Sequence, residues 1–124
     1  MSSPSSEKPL PLPCIRTRIK ICGLTREQDV DAAVAAGADA IGFVLYAPSP
    51  RAVTPQRAAE LASRLPPFVT PVLLFVNESA SNIIAASALL AGATIQFHGD
   101  ETPAECLAAT LDGARPFLRA ARIP

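Results

Sequence analysis

A thiol at the end of a short apolar run is the first group in this 124-residue chain whose placement suits chemistry. Cys22 closes the run Arg18-Ile-Lys-Ile-Cys22 and precedes Gly23-Leu24-Thr25, where a buried strand would turn into a helix. In α/β scaffolds that rim is where reactive groups collect. Side chains alternate along a strand, so Lys20 shares a face with Cys22 while Ile19 and Ile21 take the other. The same alternation recurs further on, with Gln96 and His98 on one face of a run and Ile95 and Phe97 on the opposite one. Arg51, in the loop Tyr46-Ala-Pro-Ser-Pro-Arg51, adds a guanidinium fork, which matches a planar carboxylate better than an ammonium does.

Each of these residues also has a plainer reading. A cysteine at a strand end is usually a small buried hydrophobe. A loop arginine alone is more often an exposed charge, a lone histidine more often a satisfied structural one, and Lys20 could pair with an acid on a neighbouring strand. Cys106, on an expected helix, is read as packing. Cys14 carries no functional assignment.

The elements that must hold these groups follow from the pattern along the chain. Residues 1–17 are rich in Ser and Pro without periodicity, which predicts a flexible or polyproline-like leader. From Arg18 to the end, short apolar runs alternate with alanine-rich amphipathic segments, the signature of repeated βα units around a parallel sheet. The spacing predicts strands at 18–22, 40–45, 72–76, 94–98 and 116–123. Helices are predicted at 26–36, 54–65, 79–90 and 102–111. Thr25 is expected to cap the first helix in a capping box with Gln28, and Gly37 to stop it. Thr54-Pro55 opens the second helix, because proline at the first helical position gives up no needed hydrogen bond. Ser79 caps the third, and Gly92 ends it.

Composition narrows the possible partners. Eleven Lys plus Arg balance eleven Asp plus Glu, with no basic stripe of the kind a nucleic-acid binder needs. No apolar run approaches the roughly 20 residues of a bilayer span, and the N-terminus lacks the order of a signal peptide. A cytoplasmic location, with neither nucleic acid nor membrane as partner, is expected. Three widely spaced cysteines suit neither a disulfide framework nor a zinc site.

Two α/β architectures fit four βα units and a fifth strand: a flavodoxin-like doubly wound sheet, or the N-terminal half of a TIM (βα)8 barrel. In the first, both faces of the central strands should be apolar. In the second, one face looks inward and carries polar groups near its carboxyl end. Lys20 with Cys22, and Gln96 with His98, favour the barrel.

The strings Lys20-Ile-Cys-Gly-Leu-Thr25, Gly42-Phe-Val-Leu45 with Ser49-Pro-Arg51, Leu74-Phe-Val-Asn-Glu78 and Ile95-Gln-Phe-His-Gly-Asp-Glu101 resemble those of phosphoribosylanthranilate isomerases. Their order and spacing match the first four βα units of that barrel, over residues 18–123. The resemblance implies a cofactor-free Amadori rearrangement in tryptophan biosynthesis, turning N-(5-phosphoribosyl)anthranilate into 1-(2-carboxyphenylamino)-1-deoxyribulose 5-phosphate. It makes Cys22 the catalytic base that removes the C2 proton and sets Arg51 on the anthranilate carboxylate. Gln96 and His98 would bind or orient the substrate. A free thiol has a pKa near 8.5, so a neighbouring cation such as Lys20 would support the thiolate at neutral pH.

In that family the general-acid aspartate lies at the end of strand five and the phosphate-binding loops come from the last units, beyond Pro124. Asp112 precedes strand five and does not take the acid's role. The expectation is therefore a half barrel, inactive by itself, that self-associates or pairs with a complementing C-terminal half. A non-catalytic remnant or binding module is the alternative function. A small receiver or flavodoxin-type domain is another, although no acidic cluster at the first strand's end supports a phospho-receiver.

Overall fold

The computed structural model describes residues 16–123. Residues 1–15 of the expected leader, Cys14 included, lie outside the described residues. Arg16, at the leader's end, donates to the Asp39 carboxylate at 2.9 Å, beside the Ile19 N–H at 2.8 Å.

Five strands and four helices alternate: β1 (Lys20–Cys22), α1 (Glu27–Ala35), β2 (Ala40–Val44), α2 (Pro55–Ala62), β3 (Thr70–Phe75), α3 (Ala80–Ser87), β4 (Thr94–Phe97), α4 (Pro103–Ala109) and β5 (Phe117–Arg119). Each strand pairs in parallel with the next, in the order β1-β2-β3-β4-β5. A flavodoxin-type sheet would insert its first strand between the second and third. Here β1 lies at one edge, and the doubly wound alternative is overturned. Among the described residues β1 and β5 each have a single strand neighbour.

The sheet is also curled. Lys20 Nζ on β1 donates to Gln96 Oε1 on β4, with two strands between them. In a flat sheet, three spacings of about 4.8 Å would hold those strands about 14 Å apart with side chains standing upright. Contact requires the sheet to close around this face, as a barrel wall does.

The two faces have separate tasks. Ile41, Phe43, Leu73, Phe75, Ile95 and Phe97 point outward and form one buried cluster with Val30 of α1, Leu61 of α2, Ile83 of α3 and Cys106 of α4. Cys106 thus packs as expected, and burial pushes its thiol pKa up. Strand register sets Cys22, Gly42, Val72 and Thr94 in one row of the concave face, and Val44, Leu74 and Gln96 in the next. On the convex side of β1, however, Ile19 and Ile21 remain 49% and 37% exposed, whereas the corresponding Ile95 and Phe97 of β4 lie beneath helices.

Helix starts follow the sequence except at α1. Thr54, Ser79 and Thr102 each cap a helix with the side-chain oxygen, and Thr102 with Glu105 forms a full capping box. Thr25 does not: the N-cap of α1 is Arg26, without a side-chain cap. The cause lies across the fold, where Arg57 of α2 donates to the Thr25 carbonyl at 3.2 Å and to both Glu27 carboxylate oxygens at 2.7 and 2.8 Å. Those bonds hold the Glu27 pKa down at about 2. Gly37 stops α1 at φ +98°. By contrast α3 ends at Ser87, and the turn after it, rather than Gly92, closes the helix.

Candidate active site

The carboxyl ends of the strands carry the polar residues, and local sequence explains how each is held. After β1 the chain turns through Gly23 at φ +85°. A Cβ there would stand 2.7 Å from Arg51 Nη1, so only glycine lets that side chain lie across the turn. Arg51 is aimed by its own loop: the Ser49 N–H donates to the Tyr46 carbonyl at 2.9 Å and the Arg51 N–H to Ser49 Oγ at 3.1 Å. Its Nη1 then donates to the Cys22 carbonyl at 3.2 Å. On the neighbouring strand Gly42 leaves room for the thiol, since a Cβ at that position would come within 2.9 Å of Sγ. His98 follows β4 directly, its N–H donating to the Phe75 carbonyl at 2.9 Å.

Lys20, Cys22, Arg51, Gln96 and His98 line one cavity of about 540 Å³ on the concave face. The structure thus brings together all five residues singled out in the sequence. Cys22 is half-buried, while Arg51 and His98 are exposed. Lys20 engages Gln96 rather than an acidic neighbour. Tyr46, Ser49 and Arg122 line the cavity as well. Ser49 belongs to a string already noted, but Tyr46 and Arg122 had no signal beyond their places at the ends of the second and fifth strands. No Asp or Glu is among the described lining residues, so Lys20, Arg51 and Arg122 make the cavity cationic. That is the electrostatic setting for an anionic ligand.

A second cavity, of about 600 Å³, lies between the β2–α2 loop and α3 and is lined mainly by apolar groups such as Val53, Ala86 and Leu89. It holds none of the five residues, and among its described lining residues there is no Cys, His, Lys or Arg. Among the described residues no group of three or more His, Cys, Asp or Glu is placed to hold a metal ion. Nor is any described helix long and apolar enough to cross a membrane.

Residues 19–120 match the family described as N-(5'phosphoribosyl)anthranilate (PRA) isomerase. The chain belongs to this family. It is 64% identical over 109 residues to N-(5'-phosphoribosyl)anthranilate isomerase of Methylibium petroleiphilum, an alignment that covers 88% of this chain and 49% of that protein. The phosphoribosyl anthranilate isomerase of Thermotoga maritima superposes with a TM-score of 0.78 at 35% identity, over 84% of this chain and 50% of the other. A phosphoribosyl anthranilate isomerase in complex with reduced 1-(o-carboxyphenylamino)-1-deoxyribulose 5-phosphate superposes with a TM-score of 0.82 at 34% identity, over 88% and 55%. The chain spans about half the length of the curated PRA isomerases it matches.

Proposed function

We propose that this chain supplies the base-bearing half of a phosphoribosylanthranilate isomerase acting in the cytoplasm. The observation that carries the proposal is the single cationic cavity shared by Cys22, Arg51, Gln96 and His98 at the strands' carboxyl ends. The substrate bears a carboxylate and a phosphate, and the absence of any lining carboxylate among the described residues suits both. A cofactor is not needed for this isomerisation.

In this reading an acid first protonates the ribose ring oxygen, and the ring C–O bond breaks to leave an iminium at C1. Cys22, as thiolate, then takes the proton from C2. The C–H electron pair forms the C1–C2 double bond and the iminium electrons return to nitrogen, giving an enolamine that ketonises to the product. Arg51 grips the anthranilate carboxylate, and Gln96 and His98 orient the sugar. Lys20, bonded to Gln96, holds that amide in place and adds positive charge to the cavity that shelters the thiolate. The acid is read as a group from outside residues 16–123. The uncovered Ile19 and Ile21, together with the strand edges at β1 and β5, support pairing with a complementing half or with a second copy.

The test joins this chain to the second half of a full-length relative and asks whether the chimera rescues a tryptophan auxotroph. Rescue is expected from the chimera and not from the chain alone. Cys22→Ala in the chimera is expected to lower turnover by about 10²- to 10⁴-fold, the usual range for loss of a general base. Undiminished growth and turnover with Cys22→Ala would overturn the assignment.

A further inference from the structure

One buried carboxylate joins the loops that follow β3 and β4. Glu101 is 4% exposed, and its side chain accepts the Asn77 N–H on Oε2 and the Gly99 N–H on Oε1, each at 2.8 Å. In return Asn77 Oδ1 accepts the Asp100 N–H at 2.9 Å. Asn77 stands at φ +50°, a left-handed conformation that asparagine tolerates better than most residues. Gly99 has no room for a side chain, because a Cβ would lie 2.6 Å from Asn77 Oδ1 and 3.0 Å from the Asn77 nitrogen. The two loops are therefore pressed together and cross-bonded in both directions.

The location of this clip gives it meaning. The last regular rung between β3 and β4 is the His98 N–H on the Phe75 carbonyl. Continued parallel pairing would next bring the Asn77 N–H onto the His98 carbonyl. Glu101 takes that donor instead and also holds Gly99, the residue directly after His98. The ladder thus stops at His98, with the backbone on its far side fixed by the same carboxylate that caps the opposite strand. Glu101 is itself tied down, since Arg119 Nε donates to its carbonyl at 3.1 Å.

We propose that Glu101 is a positioning residue whose carboxylate sets the direction in which His98 projects into the cavity. The proposal rests on the reading of His98 as a substrate-binding residue, but its first test requires no turnover. Glu101→Gln keeps the side chain's size yet turns an NH2 group toward one of the two N–H donors, so one bond must be lost. In the whole chain, amide exchange at Asn77 or Gly99, whichever N–H faces the new NH2 group, should quicken about 5- to 30-fold, the factor that a bond worth one or two kcal/mol carries. Exchange at Ile41 and Leu73 should stay as it was. The ring signals of His98, the only histidine in the sequence, should shift.

Unmoved His98 signals, or a uniform rise in exchange across all strands, would overturn the proposal. Should the glutamine variant fail to fold, Glu101→Asp keeps the charge and the acceptors but shortens the side chain by one carbon, so the carboxylate no longer spans the Asn77 and Gly99 N–H groups. It should shift the His98 signals with the strand amides intact, and an unaltered ring would again refute the idea. In the full-length chimera Glu101→Gln should raise KM more than it lowers kcat. Shifted ring signals with an unchanged KM would leave the clip standing and instead remove His98 from substrate binding.

Discussion

Gly42→Ala adds one methyl group at the point where β2 passes the Cys22 thiol. The new Cβ would stand 2.9 Å from Sγ and 3.3 Å from Cys22 Cα and Cβ, whereas ordinary carbon contacts lie at about 3.5–4.0 Å. The backbone does not resist the change, because Gly42 is a regular strand residue and replacing glycine there gains up to about 1 kcal/mol through the unfolded chain. Relief must come from the sulfur, which has to move by about 0.6–1 Å or rotate to another rotamer. Overpacking of this kind costs about 1–3 kcal/mol, so the net loss lies between about zero and 3 kcal/mol and the chain should still fold. For catalysis the same shift is large, since a 1 Å misplacement can lower a rate by about 10²-fold. Two assays read it: turnover of the full-length chimera, and alkylation of Cys22 followed site by site in a mass spectrometer, with buried Cys106 as internal reference. Turnover should fall about 10²-fold and Cys22 alkylation should change, while the thermal midpoint falls by no more than about 15 °C. Wild-type turnover and wild-type alkylation in a folded Gly42→Ala variant would refute the claim that Gly42 makes room for the thiol.

Three further outcomes follow from features outside the cavity. The Arg16 guanidinium, with help from the Ile19 N–H, holds the Asp39 pKa down at about 2, below the usual value of about 3.9. The folded state therefore binds this proton less readily, and the stabilisation is complete above about pH 4 and fades as pH falls toward 2. Urea midpoints of wild type and Asp39→Asn should differ at pH 6 and converge near pH 2. Leu61→Ala, at a fully buried position of α2, should cost about 2–5 kcal/mol in the same measurement. Thr102→Ala removes the capping box of α4 and should cost about 1 kcal/mol.

Much of the architecture was legible because it depends on short-range pattern. Alternation placed Lys20 with Cys22 and Gln96 with His98 before any coordinates, and polar side chains on one face favoured a barrel wall over a doubly wound sheet. Only the pairing order and the reach of Lys20 to Gln96 settled that choice. The capping box at Thr25 failed because its competitor, Arg57, comes from another helix and no local rule anticipates it. Glu101 stood in a recognised string, yet its role was hidden: one of its partners, Asn77, is 24 residues away, and the bonds join a side chain to backbone N–H groups that carry no residue identity. Arg122 shares the parity of Leu118, which pairs with Gln96 on the cavity face, but it lies three residues beyond the end of β5 and so outside the ladder that alternation describes.

The two edges of the sheet are alike in sign. Arg18 precedes β1, Arg115 precedes β5 and Arg119 ends it, while Arg16 is already paired with Asp39, so two copies meeting edge to edge would set these remaining arginines against one another, an arrangement that weakens strand pairing. Dissolved ions shorten that repulsion from about 8 Å of reach at 0.15 M to about 3 Å at 1 M. Copies of the chain should therefore stay apart in dilute buffer and gather in concentrated salt, whereas a companion with an acidic rim would bind tightest where the buffer is thinnest.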